Sequence, residues 1–203
     1  ESEHLWLGIP SQHERIIRRE AYVASHDDQR KTARWVAYRL HRMYLKARVA
    51  RQARFEPDPD IPVDARAKDA DYSRSGYDRG HLAASADLRR SALVQRQSNF
   101  LSNIVPQDPS LNRGPWARLE AMVRDWAREA SDCYVVTGPV RCLVEPCHGT
   151  IGTGKVAVPH RFFKVVARYV DGEWHAVGFL ADNGEAATET PEDWLVSIRF
   201  IQW

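Results

Sequence analysis

An α+β fold built on a mainly antiparallel sheet is what this sequence predicts, from three observations. Three β-type runs, Cys133–Val140, Phe162–Val170 and Trp174–Ala181, follow one another, and Asp171-Gly172 between the last two suits a two-residue hairpin turn. Ahead of them one long helix, ending near Ala130, carries Leu119, Met122, Val123 and Trp126 as an apolar stripe. The 203 residues, 43% apolar and 10% aromatic, are enough for one domain spanning 1–203 with a real core.

The remaining elements follow from local pattern. Ala21–Ser25 and Trp35–Leu40 read as strands, although residues 36, 40, 43 and 47 also fit one helical face. The Pro- and Asp-rich piece from Glu56 to Pro62 reads as a turn-forming loop. A strand is expected near Tyr77–Leu82, a short helix near Ser91–Asn99 and a second strand at Leu101–Pro106. The long helix is expected to start at Asn112 or at Pro115, a residue suited to a first turn. Thr190-Pro191-Glu192-Asp193 reads as a helix N-terminus or a turn.

Composition bounds the function. No apolar run approaches the roughly 18–20 residues of a membrane-spanning helix. The chain opens at Glu1 rather than Met, which fits either removal of a targeting segment, with export or an organelle then expected, or a trimmed sequence. Net charge is only +2, yet between Asp28 and Glu56 there is no acid, while Arg30, Lys31, Arg34, Arg39, Arg42, Lys46, Arg48, Arg51 and Arg54 supply nine positive charges. Arg outnumbers Lys 24 to 5, which favours bidentate phosphate contacts. A solvated face is the plain reading of this run; a surface that tracks a nucleic-acid backbone is the functional one. Of three cysteines, Cys133 heads an apolar run and reads as a buried thiol, whereas Cys142 and Cys147 bracket a short loop that a local disulfide would close in an exported protein. His148 lies beside them, but the spacing matches no common zinc pattern.

The chemistry concentrates in Asp78-Arg79-Gly80-His81. On a strand, side chains at i and i+2 share a face, so Arg79 and His81 converge and Asp78 points away as a structural residue. A guanidinium that grips phosphate then sits beside an imidazole able to take a proton from water. Downstream, Asn112 and Glu120 are eight residues apart and would share a side of one helix, and their oxygens suit Mg²⁺.

Tyr77 to Ser85, with its DRGH core, resembles the signature of the DNA/RNA non-specific endonucleases, the ββα-metal nucleases. The blocks Leu101 to Gln107, Leu111-Asn112, Trp116 to Glu120, Tyr134 to Pro139 and Val156 to Val165 follow in the family's order, and His4 to Pro10 and Trp35 to Leu40 resemble its N-terminal segments. The resemblance implies an α+β fold carrying a ββα-metal (His-Me finger) motif, and a segment from Leu195 to Trp203 that runs into a closing helix. It implies hydrolysis of DNA and RNA with Mg²⁺, or Mn²⁺ in its place, giving 5′-phosphate and 3′-hydroxyl ends. The implied roles are His81 as general base, Arg79 on the phosphorane, Asn103 supporting base or transition state, Asn112 as direct metal ligand and Glu120 reaching the ion through water. A further phosphate-binding Arg is expected upstream, with Arg54 and Arg51 as rivals. Homodimerisation, through exposed aromatics such as Trp6 or Trp203, and restraint by an inhibitor protein are further partner expectations.

Other readings stand beside these: Asn112 as a helix cap, Glu120 as an exposed helical acid, Arg79 as an ion-pair partner, His160 as a packed strand residue. A binding protein without the chemistry, or a toxin or defence effector held by its inhibitor, is the alternative for the whole chain. Gly149 to Lys155 satisfies G-x-x-x-x-G-K, but Val156 replaces the Ser/Thr and Val-Ala-Val-Pro opens no helix, so a β-connecting loop is expected.

Overall fold

The computed structural model describes residues 2–11, 15–46, 49–140, 149–186 and 188–201. Arg48, Cys142, Cys147, His148 and Trp203, and with them the disulfide reading, lie outside the described residues.

A seven-stranded antiparallel sheet forms the frame. Its strands are β1 (Arg15–Arg18), β2 (Val23–Asp27), β3 (Thr32–His41), β6 (Asp132–Val140), β9 (Arg161–Val170), β10 (Glu173–Asp182) and β11 (Leu195–Val196), in that spatial order. The strand pattern of residues 32–41 prevails over the helical alternative because β3 pairs on both sides, with β2 and β6. The turn between β9 and β10 has Asp171 at φ 53° and Gly172 at φ 86°, the two left-handed positions that an Asp-Gly hairpin supplies.

Two smaller pairs flank the frame. One joins β4 (Asp78–His81) to β5 (Ile104–Gln107), and the other joins β7 (Thr150–Ile151) to β8 (Val156–Ala157). The expected strand at 101–106 starts late, because residues 101–103 turn as a short 3-10 segment before β5 begins. The short helix α1 (Ala92–Ser98) is capped by Ser91, whose Oγ accepts the Val94 N–H.

The long helix is broken in two. Residues α2 (Pro109–Arg113) and α3 (Pro115–Ala130) meet at Gly114, and a Cβ there would press on the Ser110 carbonyl. Each helix has Pro at its first turn, where the missing N–H costs nothing. The α3 helix lays Trp116, Leu119, Val123 and Ala127 against the inner face of the sheet, with Met122 and Trp126 half-buried at the margin. Burying each such large side chain contributes about 1.5–3 kcal/mol. Residues 191–194 form a 3-10 turn, closed by Asp193 Oδ2, which accepts from the Thr190 N–H. The segment from Leu195 ends in a short helix, α4 (Ile198–Ile201).

One buried amide braces the small pair to the frame. Asn183, just past β10, donates Nδ2 to the Pro106 and Pro159 carbonyls and accepts the Asp108 N–H on Oδ1. The exit of β5 and the start of α2 are thereby tied to the far side of the large sheet. Among the described residues, no helix is long and apolar enough to cross a membrane.

The G-x-x-x-x-G-K stretch is the β7–β8 hairpin, with no helix after it. Its turn wraps the protein's own carboxylate: Asp71 Oδ1 accepts the Gly154 N–H at 2.7 Å, and a Cβ at Gly152 or Gly154 would collide with Asp71.

Candidate active site

The β4 strand aligns antiparallel with β5, pairing Asp78 with Gln107 and His81 with Ile104. Gly80 is required by close approach, since a Cβ there would sit on the buried Gln107 side chain. Arg79 and His81 do share a face. Phe55 lies against both, 5.6 Å from the His81 ring centroid and 5.6 Å from the Arg79 Cζ.

The hydrogen-bond network around His81 settles its tautomer. Asn99, at the end of α1, donates Nδ2 to the carbonyls of Gln52 (2.8 Å) and Arg54 (3.1 Å), so its Oδ1 must face His81. His81 Nε2 lies 3.0 Å from that oxygen and therefore carries the hydrogen, which leaves Nδ1 as an acceptor. Burial, with the Arg51 charge adding to it, pushes the His81 pKa down to about 4 against the opposing Asn99 contact. The imidazole is neutral at pH 7, as a proton acceptor must be.

Asn103, expected to support base or transition state, is placed elsewhere. It is fully buried, accepts the Ala83 N–H at 2.8 Å and donates to the Ala83 and Ser98 carbonyls. Its amide is spent on the backbone just beyond His81, and Asn99 is the residue that touches the ring. Replacing Asn103 by Ala leaves three buried main-chain groups without partners, and a stability loss of about 3 kcal/mol is expected. Urea denaturation checks this, and a large loss of turnover with stability intact would show that Asn103 meets the reacting atoms after all.

Asp78 is structural, with a consequence for the site. Its carboxylate accepts from Arg113 and, at 2.8 Å, from Asn112 Nδ2. Burial opposes ionisation at Asp78, but these hydrogen bonds outweigh it and hold the group below the usual carboxylate range. Pinning Nδ2 turns the Asn112 oxygen outward from that contact, free to ligate. Asn112 is therefore not a helix cap; Asp108 caps α2 by accepting the Ser110 N–H. Asn112 and Glu120 stand on two helices rather than one, so the i+8 argument is corrected: the kink at Gly114 sets their relation.

Glu120 is half-buried, and among the described residues no hydrogen bond or ion pair holds its carboxylate. Burial and then the neighbouring Asp87 charge push it up to about 7, against the pull of Lys164, Arg124 and Arg51. Lys164 is buried with its Nζ 4.9 Å from the Trp116 ring and, among the described residues, no hydrogen-bond acceptor, and burial lowers its pKa. Asp87 accepts from Tyr38 and Arg124, and burial raises its pKa. A carboxylate that no hydrogen bond holds among the described residues and a freed amide oxygen are hard donors that fit a small divalent cation. The sequence reading missed Lys164, although it falls in phase with the inward-facing Phe162 and Val166.

Arg79 is engaged in this structure. Nε binds Asp69 Oδ1 at 2.6 Å and Nη2 binds the Asp69 carbonyl, while no contact is recorded for Nη1 among the described residues. Of the two upstream rivals, Arg54 is extended into solvent and lies 3.9 Å from Glu56, whereas the Arg51 charge acts on both His81 and Glu120. The basic run is not one surface. The ten-residue β3 separates its parts, Arg30 and Arg34 pair with Asp27, and Arg39 pairs with Asp132 and Glu3.

Two short strands leading through a kink into a helix, with His, Asn and Glu presented from those elements, make the layout of a ββα-metal nuclease. The comparisons agree. The model of the DNA/RNA non-specific endonuclease family matches residues 2–202. Nuclease C1 of Cunninghamella echinulata var. echinulata is 36% identical over 201 residues, covering 92% of this chain and 79% of its own. Mitochondrial endonuclease G of Homo sapiens is 34% identical over 194 residues, covering 91% and 65%, and mitochondrial nuclease EXOG of Danio rerio is 37% identical over 161 residues, covering 74% and 46%. The chain thus spans less than two thirds of the length of these two mitochondrial relatives. The solved EndoG/EndoGI complex superimposes with a TM-score of 0.91 at 28% identity, covering 98% of this chain and 86% of that one. The chain belongs to the DNA/RNA non-specific endonuclease family.

Proposed function

We propose that the chain is a Mg²⁺-dependent endonuclease that cuts DNA and RNA without sequence preference, with His81 as general base. The observation that carries this reading is the chain of hydrogen bonds from the Gln52 and Arg54 carbonyls through Asn99 to His81, which leaves Nδ1 as a neutral proton acceptor. In the mechanism, Nδ1 takes the proton of the attacking water. The imidazolium formed keeps its Nε2–H on Asn99, so the ring does not turn as it charges. Arg79 meets the charge that develops on the phosphorane, and Arg51 supplies a second cation beside it. Asn112 through Oδ1, oriented by Asp78, and Glu120 through water would hold the divalent ion. When bound, Mg²⁺ supplies Lewis-acid stabilisation of the phosphate and the departing 3′ oxygen, and Mn²⁺ suits the same oxygens. Attack opposite that oxygen yields 5′-phosphate and 3′-hydroxyl ends.

Contacts of this kind address phosphate rather than bases, which supports a broad substrate range. For partners, nucleic acid comes first. The EndoG/EndoGI relative supports an inhibitor protein as a second, and the exposed Trp6 supports a homodimer contact. The mitochondrial relatives support an organellar location.

The deciding experiment incubates supercoiled plasmid and single-stranded RNA with the protein in Mg²⁺, with and without EDTA. Both should be degraded, and EDTA should stop both. Binding in EDTA with no turnover in Mg²⁺ would mark a nucleic-acid-binding protein instead.

A further inference from the structure

A second cationic site lies beside the candidate active site and has no part in the mechanism above. A pocket of about 420 Å³ is lined by Lys31 from the β2–β3 turn, by Arg66 and Lys68, and by Thr153 and Gly154 of the β7–β8 hairpin. Asp64 is its one acidic lining residue. The hairpin is tied to the β2–β3 turn by the Ala157 N–H donating to the Arg30 carbonyl. Lys68 immediately precedes Asp69, the acid that holds Arg79, so the pocket adjoins the Arg79 side of the candidate active site.

Many cations elsewhere in the chain are already neutralised. Arg15, Arg19, Arg39, Arg79, Arg96, Arg113 and Arg124 all pair with carboxylates. Among the described residues no ion pair is recorded for Lys31, Arg66 or Lys68. Arg66 Nε is closed off from solvent and has no acceptor, while Nη1 reaches only the Asp58 carbonyl at 3.4 Å. Three cationic side chains and Thr153 line a space with a single acid. The glycine turn of the hairpin is not the receptor, because Asp71 already fills it.

We propose that this pocket is a phosphate-binding subsite that takes a backbone phosphate of the substrate strand next to the scissile one. It rests on the nuclease reading and extends it. Longer strands are then held better than short ones through charge alone, with no base read.

The test compares wild-type protein with Lys31→Gln/Lys68→Gln and with Lys68→Glu, a single change at an exposed side chain. Affinity for a labelled single-stranded 16-mer is measured by fluorescence anisotropy in EDTA over a salt series. At about 0.1 M salt the double variant should bind about five- to tenfold more weakly, with a salt slope shallower by about 1, and Lys68→Glu should weaken binding too. Titration with inorganic phosphate separates the sources. If phosphate binds the wild type and not the variants while 16-mer affinity is the same in all three, the pocket is a free-phosphate site and the proposal is overturned. Equal affinities and slopes for folded variants overturn it as well. Failure of the nuclease reading is seen separately, as absence of wild-type cleavage in Mg²⁺.

Discussion

Replacing His81 by alanine should lower kcat for plasmid cleavage by about 10²–10⁴-fold, the range for loss of a positioned general base. Circular dichroism and substrate binding in EDTA should be close to wild type, since among the described residues the ring bonds only to Asn99, whose amide keeps its two carbonyl partners. The depressed pKa adds a second readout. In NMR the His81 ring should titrate near pH 4, where burial and Arg51 place it, rather than near the ordinary 6.5. Between those values the unfolded chain binds the extra proton and the folded chain does not. Stability from this group is therefore present above about pH 6.5 and is lost as pH falls toward 4, by about 3 kcal/mol in total. A variant as fast as wild type removes His81 from the mechanism, whereas a ring titrating at 6.5 shows only that burial does not depress it.

The second large effect is expected at Asn112. Changing it to alanine removes the oxygen that Asp78 frees by pinning Nδ2, and cleavage at low millimolar Mg²⁺ should fall by about 100-fold or more. Part of the loss should return at higher Mg²⁺, because Glu120 still offers a carboxylate. Asp78→Ala should produce a smaller loss of the same kind, since the amide then rotates freely. Metal-titration curves of the three proteins check the order, and a variant whose Mg²⁺ dependence matches wild type would falsify the ligand role.

What could be read from the sequence divides along physical lines. Strand alternation is local, so the shared face of Arg79 and His81 was legible, as were the Asp171-Gly172 hairpin and the apolar stripe of α3. Gly114-Pro115 carried the signal for the helix break, but helical spacing across it suggested one continuous helix. The groups that orient the reactive ones were not legible. Asn99 stands eighteen residues from His81 and reaches it through a loop, and Asp69 meets Arg79 by folding back from a 3-10 turn. Contacts between side chains brought together only by tertiary structure leave no period in the sequence. For the same reason a run of nine cations looked like a single surface, while β3 spreads it along the sheet and acids from other elements neutralise several of its members.

The brace made by Asn183 limits how far this candidate site can be transplanted. Excising 78–130 would keep His81, Asn112 and Glu120, but the Asp108 N–H and the Pro106 carbonyl would lose their hydrogen bonds to Asn183. The helix bearing Asn112 would then drift relative to the strand bearing His81. A graft of this motif onto another protein must bring an equivalent amide from the host, or the donors arrive without their spacing.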